Sequence, residues 1–181
     1  MNTHGFVRPK DVIKNLDIKP GDRVADFGAG SGVYSLAAAV SVGERGRVYA
    51  FDVQKDLLTR IVNTAKKEGL ENIDVIWTDL EILGGTKFAD NVVDLVIVSN
   101  LLFQMPEKNI PLREAARIVT PRGRVVVIDW TESFGGMGPH PDDVVSEREG
   151  KNLIEANGLV CVQKFTPGAH HWGYVCNKKL V

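Results

Sequence analysis

Long apolar runs are missing from this 181-residue chain. No segment approaches the roughly 20 apolar residues that a membrane-spanning helix requires. The opening stretch, Met1-Asn2-Thr3-His4-Gly5-Phe6, lacks the apolar core of a signal peptide. A cytoplasmic location is the expectation. An excess of one charge is missing as well. The 22 basic residues are interspersed with 23 acidic ones, for a net charge of −1. No basic stripe offers itself to bare nucleic acid, and no basic amphipathic helix to a membrane surface. Cysteine is scarce. Cys161 and Cys176 have no zinc-ligand spacing, so no metal site is expected. They lie almost equally far from Pro167-Gly168, so an antiparallel hairpin turning there brings them together. In a reducing compartment they stay thiols. Repeats, low-complexity tracts and linkers are absent, and the length suits one domain over residues 1–181.

What is present is an alternation of strand and helix signals. Residues 9–16 read as a first short helix, ended by the turn cluster Lys19-Pro20-Gly21-Asp22. Strands are expected at 23–28, 47–52, 73–79, 92–100 and 124–130, with helices at 31–42, 55–68 and 111–119 between them. The run Leu95-Val96-Ile97-Val98 reads as a strand buried on both faces of a parallel sheet. Pro121-Arg122-Gly123 is read as a turn, and residues 133–141 as a loop. Ser146-Glu147-Arg148-Glu149 is a capping-box signal for a last helix, which stops at Asn157-Gly158. Residues 159–166 and 171–178 follow with no helix between them, so they form an antiparallel hairpin around Pro167-Gly168. The expected fold is α/β. It is a Rossmann-like doubly wound sheet of seven strands, mostly parallel, with one antiparallel strand from the C-terminal hairpin and helices on both faces.

The most telling stretch is Val24-Ala25-Asp26-Phe27-Gly28-Ala29-Gly30-Ser31-Gly32. An apolar strand breaks into glycines at every second position. Glycine lets the chain turn sharply into a helix and lets a ligand lie against bare backbone. The helix that follows offers free N–H groups, which suit a carboxylate or phosphate. Asp52 closes the next strand, where one carboxylate can accept from two neighbouring ribose hydroxyls. Two cofactor classes fit such a loop. The dinucleotide fingerprint needs a small residue at its sixth position, where this chain has Val33. Asp26, two positions before the first glycine, would repel a pyrophosphate and suits a cofactor carrying positive charge, such as a sulfonium with an α-ammonium group.

These residues resemble the first motif of the class I S-adenosylmethionine-dependent methyltransferases. Within them the chain looks most like the small type 11 enzymes related to the ubiquinone/menaquinone C-methyltransferases. The resemblance covers nearly the whole chain. It extends to Trp77-Thr78-Asp79-Leu80, to Val93-Asp94-Leu95-Val96-Ile97-Val98-Ser99-Asn100 and to Arg122-Gly123-Arg124-Val125-Val126-Val127-Ile128. It implies that Asp26, Gly28, Ala29, Gly30, Gly32, Asp52, Val53, Asp79, Leu80, Ser99 and Asn100 bind S-adenosyl-L-methionine and its product S-adenosyl-L-homocysteine. Asp52 takes the ribose, Asp79 the adenine amino group, and Ser99-Asn100 the methionine end. Asp94 reads as structural and stays outside the site.

Methyl transfer is an in-line displacement, catalysed largely by positioning and by exclusion of water. A base is needed only where the nucleophile must lose a proton. Ligands of such sheets bind outside the carboxyl ends of the strands. The catalytic residues are unknown, and the candidates there are Asn100, Gln104, Asp129, Trp130 and His140. The first helix, with His4 and Phe6 just before it, is expected to close over the cofactor. His170-His171 opens the last strand, with its rings expected on opposite faces. The His pair that many relatives carry after the fourth strand is replaced by Leu101-Leu102-Phe103-Gln104. The acceptor is unidentified; a small molecule, lipid or protein is favoured over bare nucleic acid. A second copy of the chain, a membrane or the loop 133–141 would have to cover it. The rival readings are an NAD(P)-dependent oxidoreductase and a non-catalytic S-adenosylmethionine-binding protein.

Overall fold

A computed structural model describes residues 7–134, 136 and 138–179. His4 and Phe6 lie outside the described residues. Five parallel strands are β1 (Arg23–Phe27), β2 (Arg47–Asp52), β3 (Ile73–Trp77), β4 (Val93–Ser99) and β5 (Val119–Trp130). They join β6 (Leu159–Gly168) and β7 (His171–Lys178) in one sheet of order β3-β2-β1-β4-β5-β7-β6. β7 runs antiparallel to both of its neighbours and is the one antiparallel strand of the sheet. The helices are α1 (Pro9–Lys14), α2 (Val33–Val42), α3 (Lys55–Lys67), α4 (Asn109–Ile118) and α5 (Glu147–Ala156).

Side-chain alternation along each strand fills two cores. Val24, Leu95, Ile97, Val126 and Ile128 pack with Val12 and Ile13 of α1 and Ala38 and Val42 of α2. Ala50 meets Leu58 and Ile61 of α3 on that same face. Phe27, Phe51, Val96, Val98, Val125 and Val127 point the other way, onto Leu112 and Ile118 of α4 and Ile154 of α5. The chain winds outward from β1 to β3 and then returns to place β4 against the free side of β1. A crevice opens where the strand order reverses, outside the carboxyl ends of β1 and β4.

Two expected turns lie inside strands. Pro121-Arg122-Gly123 belongs to β5 as an irregularity: the register runs Val93↔Val119 and then Leu95↔Arg124. The extra residues bulge out of the ladder, which is how a strand accommodates proline and glycine. Pro167 and Gly168 extend β6 past a second register shift, and the reversal itself falls on Ala169 and His170. Cys161 and Cys176 are direct cross-strand partners with Sγ atoms 3.5 Å apart, and both are free. Among the described residues no helix is long and apolar enough to cross a membrane.

Candidate functional site

The site begins where β1 ends. Phe27 turns into the α4/α5 core and meets Phe51 edge-on, with ring centroids 5.5 Å apart. The alternate residue, Asp26, therefore faces α2, where its carboxylate accepts from Ser35 Oγ at 2.6 Å. Asp26 is 2% exposed. Burial pushes its pKa up to about 6 against the pull of the Ser35 hydrogen bonds, and the nearby Asp52 adds to the rise. A buried anion lacking a cation is what this geometry leaves.

The glycines have separate reasons. Gly28 sits at φ +68°, and a Cβ there would lie 2.8 Å from Leu101 Cδ1. Gly32, at φ +78°, takes the N-cap position of α2, and a Cβ there would lie 2.5 Å from Ile61 Cγ1. Gly30 has only the Gly28 carbonyl oxygen near its missing side chain, at 3.8 Å, so the loop surface stays open. The loop is clamped from below. Ala29 N–H donates to the Phe51 carbonyl at 2.9 Å, and Gly32 N–H donates to the Ala29 carbonyl at 2.8 Å.

Asp52 ties β2 to the loop. Its Oδ2 accepts from Gly30 N–H and its Oδ1 from Gln54 N–H, each at 2.8 Å. Each oxygen keeps a further lone pair, so a fixed carboxylate remains able to receive two hydroxyls. Val53 beside it is exposed, and its carbonyl accepts from Trp77 Nε1 at 2.9 Å. Asp79 lies past the end of β3, exposed, with Oδ1 accepting from Glu81 N–H at 2.8 Å. That contact makes it a loop cap with lone pairs to spare. Leu80 is core, 5% exposed and packed in the same cluster as Phe51.

β4 supplies the opposite wall. Ser99 faces α2 with Asp26, and Tyr34 of α2 lies beside it. Burial pushes the Tyr34 phenol up to about 12, and the adjacent Ser99 hydroxyl, close to it but short of hydrogen-bond geometry, offsets part of the rise. Asn100 follows at φ +53°, a strained conformation for a residue with a Cβ. Its carbonyl accepts from Gln104 Nε2 at 2.7 Å. Tyr34 Oη, Ser99 Oγ and Asn100 Oδ1 are all buried without a hydrogen-bond partner. Three orphan polar atoms at one crevice are what a bound polar group would satisfy.

Asp129, one of the candidate residues, stands at the end of β5 in a capping role. It is fully buried, and its Oδ2 accepts from Leu102 N–H at 2.9 Å and from Phe103 N–H at 3.4 Å. Oδ1 accepts from Trp130 N–H at 2.8 Å. It therefore caps the 3-10 turn Leu102–Gln104 that carries the end of β4, and burial pushes its pKa up to about 6. His140 is exposed, and its Nδ1 accepts from Asp142 N–H at 3.4 Å in capping the 3-10 turn Pro141–Asp143. His170 belongs to the turn before β7, where it stacks on Phe134 and meets Glu132 at 2.9 Å. Tyr34, which lies beside Ser99 in the crevice, was not legible in the sequence. A buried tyrosine reads as core until the face it occupies is known.

A doubly wound sheet whose switch-point crevice carries a glycine loop, a strand-end carboxylate and an unpaired buried anion is the architecture of the class I S-adenosylmethionine-dependent methyltransferases. The chain belongs to the family described as a methyltransferase domain, whose family model matches residues 18–177. A demethylmenaquinone methyltransferase from Bacillus mycoides (strain KBAB4) is 30% identical over 127 residues, covering 68% of this chain and 51% of the relative. The chain thus spans about half the length of that curated relative. A crystal structure of a SAM-dependent methyltransferase from Aquifex aeolicus superimposes with a TM-score of 0.83 at 29% identity, covering 94% of this chain and 89% of that one. The [4+2]-cyclase SpnF shares the fold at a TM-score of 0.79 and 16% identity, covering 95% of this chain and 80% of that one.

Proposed function

We propose that the chain transfers a methyl group from S-adenosyl-L-methionine to an acceptor held beyond the ends of β4 and β5, acting as one methyltransferase domain. The observation that carries this reading is the pairing of a buried, uncompensated Asp26 with an Asp52 carboxylate fixed by two backbone amides. A pyrophosphate would meet repulsion at Asp26, whereas an α-ammonium group finds its counter-charge there. Asp52 holds the ribose; Gly28, Ala29, Gly30 and Gly32 give the methionine portion a bare backbone surface. Val53, Asp79 and the Leu80 backbone bracket the adenine. Ser99 and Asn100, with their orphan polar atoms, face the methionine end.

S-adenosylmethionine supplies an already activated methyl, so the protein's task is to hold the acceptor in line and keep water out. Asp129 fixes the turn after β4, and Asn100 and Gln104 on that turn are the polar side chains this reading sets beside the acceptor. The acceptor is a small molecule, lipid or protein, covered by a second copy of the chain, a membrane or the loop 133–141. The reading places the protein in the cytoplasm.

Calorimetry with S-adenosylhomocysteine and with NADH tests the cofactor assignment. Binding of the first and none of the second is expected; the reverse returns the fold to the oxidoreductases. Release of labelled methyl to a cell-extract fraction separates an enzyme from a mere binder. SpnF shows why that second measurement is needed, since one scaffold serves more than one chemistry.

A further inference from the structure

Asp79 and Leu80 lie in the β3–β4 connection, residues 78–92, which has no helix or strand of its own. Its start is tied to β2, where Thr78 N–H donates to the Asp52 carbonyl at 3.1 Å. Its return is held from α4. Glu114 is 1% exposed, and its Oε2 accepts from Gly84 N–H at 3.0 Å. Its Oε1 accepts from Thr86 N–H at 3.3 Å and from Thr86 Oγ1. The same carboxylate takes two hydrogen bonds from the Arg117 guanidinium, at 2.9 and 2.7 Å. Arg117 Nη1 goes on to the Phe88 carbonyl at 2.8 Å and to Asp90 at 2.7 Å.

Glu114 thus grips both neighbours of Gly85, and Gly85 is where the connection touches its own beginning. A Cβ on Gly85 would collide with the Asp79 carbonyl oxygen and lie 2.8 Å from that of Ile82. Gly85 N–H donates to the Ile82 carbonyl at 2.8 Å, and the Gly85 carbonyl accepts from Thr78 Oγ1 at 2.6 Å. The Asp79 carboxylate bonds to Glu81 N–H inside its own turn, a contact that moves with the turn and cannot set its distance from Asp52. The support under Asp79 is Gly85, pinned on either side by one carboxylate of another element. Desolvating that carboxylate is costly, and apolar packing would join a helix to a loop as firmly. Hydrogen bonds to three loop donors add a fixed direction.

We propose that Glu114 is a positioning residue for the nucleoside: through Gly84, Gly85 and Thr86 it holds the Asp79 turn at the spacing from Asp52 that a ribose and an amino-bearing base require. The assignment rests on the methyltransferase reading above, in which Asp52 takes the ribose and Asp79 the adenine amino group. A carboxylate only accepts, so Asp79 favours a base with an amino group over one with a carbonyl oxygen in the same place. Such a preference survives only while the carboxylate is held to within about 0.5 Å of its place. Both Glu114 oxygens are taken by loop and Arg117 donors, so Glu114 acts through the turn and does not touch the cofactor.

The test is calorimetry on the whole protein with S-adenosylhomocysteine and with S-inosylhomocysteine, which carries an oxygen in place of the amino group. Wild type should prefer the adenosyl ligand by about tenfold or more. Glu114→Ala should weaken that ligand about fivefold per binding-competent molecule and the inosyl ligand less than about twofold, so the preference shrinks. Glu114→Gln, which keeps one acceptor oxygen, should recover part of the preference. Thr86→Val spares the Glu114–Arg117 pair and should shrink the preference about twofold, which decides the question where Glu114→Ala does not fold. In an Asp79→Asn background, Glu114→Ala should leave the ratio of the two affinities untouched, since the contact it positions is gone. Lost stability alone lowers the folded fraction for both ligands alike and leaves their ratio where it was. A ratio unchanged in Glu114→Ala and in Thr86→Val, with lowered melting temperatures, makes Glu114 purely structural and overturns the proposal. Equal binding of the two ligands by wild type also overturns it, by removing Asp79 from the base, and leaves the methyltransferase reading standing. No binding of S-adenosylhomocysteine by wild type strikes that reading itself.

Discussion

Asp52 and Asp26 are both buried carboxylates at strand ends, yet their surroundings give them opposite characters. Asp52 is held by two backbone amides and keeps lone pairs for a ligand. Removing it should cost cofactor affinity about 1.5–3 kcal/mol, the range for hydrogen bonds to a charged group, with calorimetry as the measure. Asp26 is held only by Ser35 and is desolvated. Its folded pKa of about 6 lies above the ordinary 3.8, so its contribution to stability is full below pH 3.8 and is lost as pH rises towards 6. Asp26→Asn should therefore stabilise the ligand-free protein at pH 7 by roughly 1–3 kcal/mol, the gap closing near pH 4 in denaturant melts. Asp52 could be read from sequence because its place after the glycine loop defines its task. Asp129 could not, because an acidic residue at a strand end looks the same whether it meets a ligand or caps a turn. The deciding contacts, Leu102 and Phe103 N–H, come from 27 and 26 residues away in the chain.

At the scale of elements, the parallel core was legible and its corners were less so. β2 falls on residues 47–52 as expected, because the apolar run Val48–Phe51 between the Gly43–Gly46 turn and Asp52 admits one placement. The β5 entrance was misread because Pro121 and Gly123 carry turn chemistry even when they form a bulge within a strand. The β3–β4 connection depends on a residue with no local signal. Glu114 of α4, 1% exposed, accepts from Gly84 N–H, Thr86 N–H, Thr86 Oγ1 and the Arg117 guanidinium. Burial alone would raise its pKa, but Arg117, Thr86 and Gly84 together hold it below the usual value. Glu114→Ala leaves those donors unpaired and should destabilise the fold by on the order of 3 kcal/mol, seen as a lower urea midpoint.

Across the whole molecule, most of the orphan polar atoms among the described residues gather at one end of the sheet. The amino ends of the strands are stitched by ordinary contacts, such as Arg23 N–H to Asp94 at 2.9 Å and the Arg47–Asp74 pair. The carboxyl ends hold the desolvated Asp26, the positive φ of Asn100 and four of the five residues with orphan polar atoms. A ligand that satisfies these groups should stabilise the fold well beyond its local contacts. At a hundred times its Kd, S-adenosylhomocysteine should add about 2.7 kcal/mol, a rise of roughly 5–10 °C in melting temperature for a chain of this size, and NADH should add none. The effect should depend on pH in a particular direction. The α-ammonium group is met by ionised Asp26, so affinity should be full above pH 7 and decline as pH falls through about 6. Asp129 titrates in the same range, which makes wild type alone ambiguous. Asp26→Asn resolves it: the variant should bind more weakly at pH 8 and show no decline towards pH 5. A decline that persists in Asp26→Asn would move the counter-charge role away from Asp26 and onto the turn that Asp129 caps.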